Sequence, residues 1–274
     1  MGRKNYWNSE AKNRRWIKSG RGQGTGSNYK PWLTVRDVAS KGRSHRVFGH
    51  LTQRTHHLLS DLELATFLLL QWRPSTIDIR EQFPLDREVT LQLCKDLGIQ
   101  HPNHHGLDQY MSSDFVVDAR EKVNSRFVIQ VKTTESLNDS RTIEKLEIER
   151  RYWSEKQIPW FLVTENQIPS TVFENINLLY NHIDDETELG ELMIQFELFN
   201  KHLPRSESLR VKELCIKLDL AYDYEPGESL YQIKRLLAQR YFHFDITQPF
   251  TELRCSDLTA ESFEVLQEVW RVSG

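Results

Sequence analysis

A chain of 274 residues with 38% hydrophobic and 27% charged residues, seven Trp, nine Tyr and thirteen Phe is neither a disordered tail nor a low-complexity repeat, and it is long enough for two domains. Its formal net charge of −3 conceals an asymmetry: residues 1–57 hold thirteen Lys/Arg against two acids and residues 58–274 hold twenty-three against thirty-seven, +11 followed by −14. No apolar run approaches the roughly 20 residues of a membrane span, no secretory signal opens the chain, and three scattered cysteines (Cys94, Cys215, Cys255) make neither a disulfide framework nor a Cys-based zinc site, so a cytoplasmic protein without a membrane role is expected.

In chain order, residues 9–19 predict a basic helix with Ser9 at its N-cap and Gly20 at its stop. Gly20-Arg-Gly-Gln-Gly-Thr-Gly26 has the look of a phosphate loop, but no Gly-Lys-Ser/Thr follows and no apolar strand precedes it, so a flexible basic linker is expected. Residues 44–48 and 54–58 suit a hairpin rich in His and Arg. Basic segments interleaved with aromatics neutralise phosphates, which makes Arg14, Arg15, Lys18, Arg21, Arg43, His45, Arg46 and Arg54 candidate DNA contacts; a solvated basic tail is the plainer alternative.

Leu62, Leu64, Ala65, Leu68 and Leu69 mark an apolar helix running to Trp72, where Pro74 forbids continuation. Residues 76–83 alternate as a strand and 87–97 suit a helix closed by Gly98. Two short alternating strands, 113–119 and 126–132, flank a polar turn, a charged helix spans 141–156, and 159–164 reads as a buried strand. That alternation predicts an α/β layer. Beyond residue 170 helices are expected near 171–180, 187–200, 208–218 and 229–239, with 241–246 and 250–254 as a β-wing. This winged-helix-like order is not strongly basic, so protein contacts suit it at least as well as DNA.

Chemistry concentrates on the two central strands. With a two-residue period, Asp114, Val116 and Asp118 share one face, and Gln130 and Lys132 project together from the next strand. Pairing as a hairpin brings Asp114 beside Gln130 and Lys132, on a sheet whose other face is apolar. A carboxylate, an amide oxygen and an ammonium together suit metal-assisted phosphodiester hydrolysis, because Mg²⁺ takes oxygen ligands, keeps several waters and is completed by phosphate oxygens. Glu63 would add a carboxylate if its helix crosses the sheet edge, although Ser60-x-x-Glu63 also fits a capping box that needs no further role. Singly, Asp114 reads equally as a turn residue and Lys132 as an edge charge; their joint spacing is what points to a site. Glu144, Glu147 and Glu149 lie on the charged helix, where pairs such as Glu147–Arg151 are the simpler account, so Glu149 is a second-tier candidate. His101, His104 and His105, with Cys94 upstream, lack a second Cys and any HExxH pattern; a polar loop bordering the catalytic face is favoured over zinc.

Asp114-Phe-Val-Val-Asp and Phe127-Val-Ile-Gln130-Val-Lys132 resemble the PD-(D/E)xK core of restriction-endonuclease-like nucleases. Longer phrases resemble the TnsA family, the endonuclease subunits of heteromeric cut-and-paste transposases. They include Gly20-Arg-Gly-Gln-Gly, Pro31-Trp-Leu-Thr-Val, Gly42-Arg-Ser-His-Arg, His56-His-Leu-Leu-Ser-Asp-Leu-Glu63, Asp78-Ile-Arg-Glu-Gln-Phe-Pro, Met111-Ser-Ser-Asp114-Phe and Leu146-Glu-Ile-Glu-Arg-Arg-Tyr-Trp, and they run through most of residues 20–165. The resemblance implies a basic arm and hairpin over 1–57, a restriction-endonuclease-like α/β core over 58–168 built on a mixed sheet flanked by helices, and a mainly helical winged-helix-like domain over 169–274.

It also implies catalytic Glu63, Asp114, Gln130 and Lys132, the first three on one or two Mg²⁺ (or Mn²⁺) ions, which tips Glu63 from cap to ligand. Gln130 replaces the acid of the general nuclease motif, as in TnsA-like proteins, and Ser113 replaces its Pro. The implied activity is Mg²⁺-dependent hydrolysis at the 5′ ends of a transposon, beside a TnsB-like DDE transposase that cuts and joins the 3′ ends and a TnsC-like AAA+ ATPase met through the C-terminal region. A catalytically inactive DNA-bound assembly factor and a stand-alone restriction-like nuclease are the competing readings.

Overall fold

The computed structural model describes residues 9–38 and 42–262, and the chain divides into two units, Met1–Ile168 and Pro169–Gly274. The first opens with α1 (Glu10–Lys18), begun where the Ser9 hydroxyl accepts from the Lys12 amide. An antiparallel hairpin of β1 (His45–Gly49) and β2 (Arg54–Leu58) leads into α2 (Asp61–Trp72), then β3 (Thr76–Pro84) and α3 (Arg87–Leu97), which Gly98 ends in the left-handed region. After the short pair β4 (Asn103–His104) and β5 (Leu107–Asp108) come β6 (Ser112–Ala119), β7 (Arg126–Val131), α4 (Ser140–Glu155) and β8 (Trp160–Val163).

The main sheet has the order β3-β6-β7-β8, antiparallel except for the parallel pair β7/β8, as the helix-bearing connection through α4 requires. Val116 and Val128 join Leu93, Ile148, Tyr152 and Trp153 in a buried cluster with α3 and α4, while Phe115, Val117 and Ile79 are fully buried elsewhere in the sheet. Both faces are therefore apolar through the middle of the strands, which corrects the expected one-polar-face sheet. Polar side chains collect instead where the strands end.

The glycine-rich run is not the flexible linker expected of it. Gly20, Gly22, Gly24 and Gly26 all take positive φ, and the turns they make are closed by Gly22 N donating to Lys30 O at 2.6 Å and Lys30 N to Gln23 O at 3.2 Å. Tyr29 and Trp32, 3% and 2% exposed, are thereby laid on β3, with Tyr29 Oη donating to Glu81 O and Trp32 N to Gln82 O. At Gly22 a Cβ would enter the Pro84 ring, 2.8 Å from Cδ and nearer to Cγ, so no other residue passes.

The second unit comprises α5 (Ser170–Tyr180), α6 (Leu189–His202), α7 (Val211–Tyr222) and α8 (Glu228–Ala238), with β9 (Phe242–His243) paired to β10 (Thr259–Ala260). The predicted wing strand at 250–254 is instead a 3₁₀ turn, Phe250–Glu252. Asn175 accounts for the difference: its Nδ2 donates to Ile246 O and Gln248 O, and its Oδ1 accepts from Phe250 N, so backbone groups a wing would pair are already taken. Among the described residues no helix is long and apolar enough to cross a membrane.

Candidate active site

The β6/β7 ladder stops at Phe115↔Ile129, and side chains replace the next rungs. Gln130 Oε1 accepts from the Asp114 amide at 2.9 Å, and Asp114 Oδ2 accepts from the Val131 amide at 2.8 Å. The strand ends are thus held apart by the carboxylate and amide that the sequence singled out. Lys132 Nζ lies 3.4 Å from Asp114 Oδ2 and donates to Val131 O at 2.7 Å. Burial alone would push the Lys132 ammonium toward neutrality, but the charges of Asp114, Glu149 and Glu63 raise its pKa above the usual lysine value.

Glu63 joins this group from the first turn of α2. Its amide donates to Ser60 Oγ, Ser60 Oγ donates to its Oε1, and Leu59 N donates to its Oε2 at 2.9 Å. That same Oε2 lies 3.3 Å from Gln82 Nε2, whose other neighbour is Asp114 Oδ1 at 3.4 Å. The expected capping box is half formed: Ser60 caps the helix, but Glu63 accepts from the Leu59 amide rather than that of Ser60, and the same oxygen also faces Gln82 beside Asp114. Burial first, then the Asp114 charge, pushes the Glu63 carboxyl up to about 8.

Of the three α4 glutamates that the sequence offered, Glu144 pairs with Arg141 and Glu147 with Arg150 and Arg151, whereas Glu149 turns inward and is 3% exposed. Its Oε1 accepts from Ser113 Oγ at 2.6 Å and Trp160 Nε1 at 3.0 Å, and Ser113 in turn accepts from Trp153 Nε1. Burial, with Asp114 adding to it, raises this carboxyl to about 8 as well. Gln130, Lys132 and Glu149 border a cavity of about 270 Å³, into which Thr142 and Lys145 of α4 also face.

The donor set suits a hard divalent cation: two carboxylates close enough to share one amide, and neutral amide and carbonyl oxygens beside them. Among the described residues no group of three or more His, Cys, Asp and Glu side chains is placed to hold a metal. In the histidine loop, His101 Nε2 is engaged by Thr90 Oγ1 at 3.0 Å. A cation at Glu63 and Asp114 would draw on neutral and substrate oxygens for the rest of its shell.

Both raised carboxyls predict an unusual pH response. In the folded chain Glu63 and Glu149 titrate at about 8, against an ordinary value of 4.5, so the folded state binds more protons than the unfolded one in between. Their contribution to stability is present below the ordinary value and is lost as pH rises through 8. In EDTA the melting temperature is expected to fall between pH 5.5 and 8, and Glu149→Gln to flatten that slope. A slope unchanged in Glu149→Gln would remove Glu149 as a contributor.

The candidate DNA contacts separate. Arg14, Arg15, Lys18 and Arg46 expose their side chains. Arg43 and His45 share Asp61, at 3.1 and 2.7 Å. Arg21 is tied to Asp37 at 2.6 Å and to Trp32 O, with its guanidinium over the Trp16 ring. Arg54 is a correction: it is 9% exposed, donates to Glu81 through Nη1 and Nη2 at 2.9 and 2.6 Å and to Gly26 O and Ile79 O, and so faces the interior rather than a phosphate.

Sequence reasoning missed Gln82 altogether. The available signal was a polar Arg80-Glu-Gln82 run inside a strand otherwise patterned for burial.

Comparison with known proteins points to one family. Residues 73–165 match the family model described as TnsA-like endonuclease N terminal, and residues 167–246 that described as TnsA endonuclease C terminal. Over 269 residues, 98% of either chain, the sequence is 46% identical to the transposon Tn7 transposition protein TnsA of Escherichia coli.

Proposed function

Because the chain belongs to the TnsA endonuclease family, we propose that it is the transposase subunit that hydrolyses the phosphodiester at the 5′ ends of its transposon. The reaction depends on Mg²⁺, with Mn²⁺ as a substitute. A TnsB-like DDE transposase cuts and joins the 3′ ends, and a TnsC-like AAA+ ATPase is a further partner. The observation that carries the reading is the convergence of Glu63, Asp114, Gln130 and Lys132 where the β6/β7 ladder opens.

Glu63 and Asp114 would hold the ion, with Gln130 adding a neutral oxygen donor while fixing the Asp114 backbone. When bound, a divalent cation polarises the phosphate and acidifies a water. Lys132 keeps its proton beside Asp114 and offsets the negative charge that develops on the phosphate oxygens. Glu149 is held protonated near neutrality by its burial and supports Ser113, the residue before Asp114. In this reading the exposed Arg14, Arg15, Lys18 and Arg46 meet the DNA backbone, and the C-terminal region meets protein partners.

The test is strand cleavage on end-containing DNA with purified TnsB-like and TnsC-like partners and Mg²⁺. Lys132→Ala is expected to slow 5′-strand cleavage by at least ~10²-fold while cleavage of the 3′ strand continues. Transposition that survives this substitution would favour an inactive assembly factor. Cleavage without any partner would favour a stand-alone nuclease.

A further inference from the structure

Gln82 sits within β3 with φ +48, in the left-handed region that residues bearing a Cβ seldom occupy. The pairs Glu81↔Phe115 and Phe83↔Ser113 flank it, which sets it opposite Asp114, on the strand edge away from Gln130. Asp114 therefore stands between two glutamines. Gln82 is 3% exposed, and its backbone oxygen accepts from Trp32 N at 3.1 Å, so the unusual conformation is fixed from the glycine-rich turn.

Its amide nitrogen faces both carboxylates of the site, 3.3 Å from Glu63 Oε2 and 3.4 Å from Asp114 Oδ1, while Ser112 Oγ donates to its Oε1 at 3.2 Å. Both contacts lie at the long end of the hydrogen-bond range, as expected of one group spanning two acceptors rather than bonding either tightly. Two carboxylates brought together repel once both are ionised, and a neutral group with two N–H donors can face both without cancelling the charge that draws a cation.

We propose that Gln82 is a positioning residue of the metal site, its amide setting the separation at which Glu63 and Asp114 share a divalent cation. The proposal rests on the nuclease reading above, and it concerns a residue outside the Glu, Asp and Gln-x-Lys set. It acts on the ion through the two carboxylates, as outer groups commonly tune metal ligands.

The full-length chain is titrated with Mn²⁺ while the signal of the free ion is followed by electron paramagnetic resonance, and the same variants are melted in EDTA and assayed for 5′-strand cleavage across Mn²⁺ concentrations. Gln82→Ala is expected to weaken Mn²⁺ binding by about tenfold or more and to raise the Mn²⁺ needed for half-maximal cleavage in step. Gln82→Gly, which suits φ +48, is expected to melt no lower than the wild type yet to lose the same affinity. Mn²⁺ binding equal to the wild type in both variants overturns the proposal, as does a loss found only in variants that melt lower, which would make Gln82 a packing residue. Asp114→Ala serves as the reference. If it is inactive while Gln82→Ala equals the wild type, only the role of Gln82 falls; if it too binds and cuts normally, the nuclease reading falls with it.

Discussion

Asp114→Asn is expected to retain the fold and lose 5′-strand cleavage by ~10³-fold or more, about 4 kcal/mol of transition-state stabilisation. The amide keeps the volume of the carboxyl and an oxygen to accept from Val131 N, so the splayed end of β6 and β7 persists. What disappears is the charge beside Lys132 and opposite Glu63. Asp114→Ala goes further, stranding the buried Val131 amide without its acceptor, and should melt lower as well. A second signature separates the two effects. The Asp114 charge helps to raise the Glu63 and Glu149 carboxyls, so in Asp114→Asn both should titrate closer to the ordinary value and the loss of stability toward pH 8 should shrink. Single-turnover cleavage and melting curves on the same preparation decide the matter, and a variant that cuts at the wild-type rate would remove Asp114 from the reaction.

The largest effect on stability is expected at Glu81. This fully buried carboxylate receives Arg54 through both terminal nitrogens, lies 2.8 Å from His56 Nδ1, and accepts from the His57 amide. Burial opposes its ionisation, but the charges and hydrogen bonds of His56 and Arg54 prevail and hold it well below the usual carboxylate range. Glu81→Gln leaves the Arg54 guanidinium buried without its counter-charge, an expected cost of about 3–5 kcal/mol in chemical denaturation.

The sign of the pH response follows from the depressed pKa. The contribution of Glu81 is present above the ordinary carboxylate value and is lost as pH falls through the depressed one, so Glu81→Gln should show a shallower loss in acid than the wild type. Replacing Arg54 and Glu81 together with apolar residues is expected to cost less than the two single changes added, because no charge is then left alone. A single-variant cost within about 0.5 kcal/mol of zero, the range of an ordinary surface change, would show that the Arg54–Glu81 pair does not hold the hairpin on β3.

The same residue explains where sequence reasoning went astray. A count of basic residues says which chains seek phosphate, but not which arginines are already satisfied, and the partner of Arg54 lies on a different strand in Glu81. The alternation of β6 and β7, and the Gln-x-Lys spacing, were legible because a strand's two-residue period fixes which side chains project together. Glu63 was legible but seemed ambiguous, since local spacing cannot tell that one carboxylate oxygen serves the helix start and also faces the site. Gln82 was invisible for another reason. Its backbone conformation is imposed by Tyr29 and Trp32 packing from the glycine-rich turns, and no periodicity encodes a single left-handed residue inside a strand.

The replaced rungs between β6 and β7 have a further consequence. The amide protons of Asp114 and Val131 are held not by a neighbouring backbone but by the Gln130 and Asp114 side chains, the groups proposed to hold the ion. Whatever draws those side chains elsewhere releases these two amides, while Phe115 and Ile129, one pair inward, stay locked in the ladder. Exchange of those two protons with deuterium is therefore a gauge of active-site engagement written into the backbone, readable in an assembled complex without any probe attached to protein or DNA.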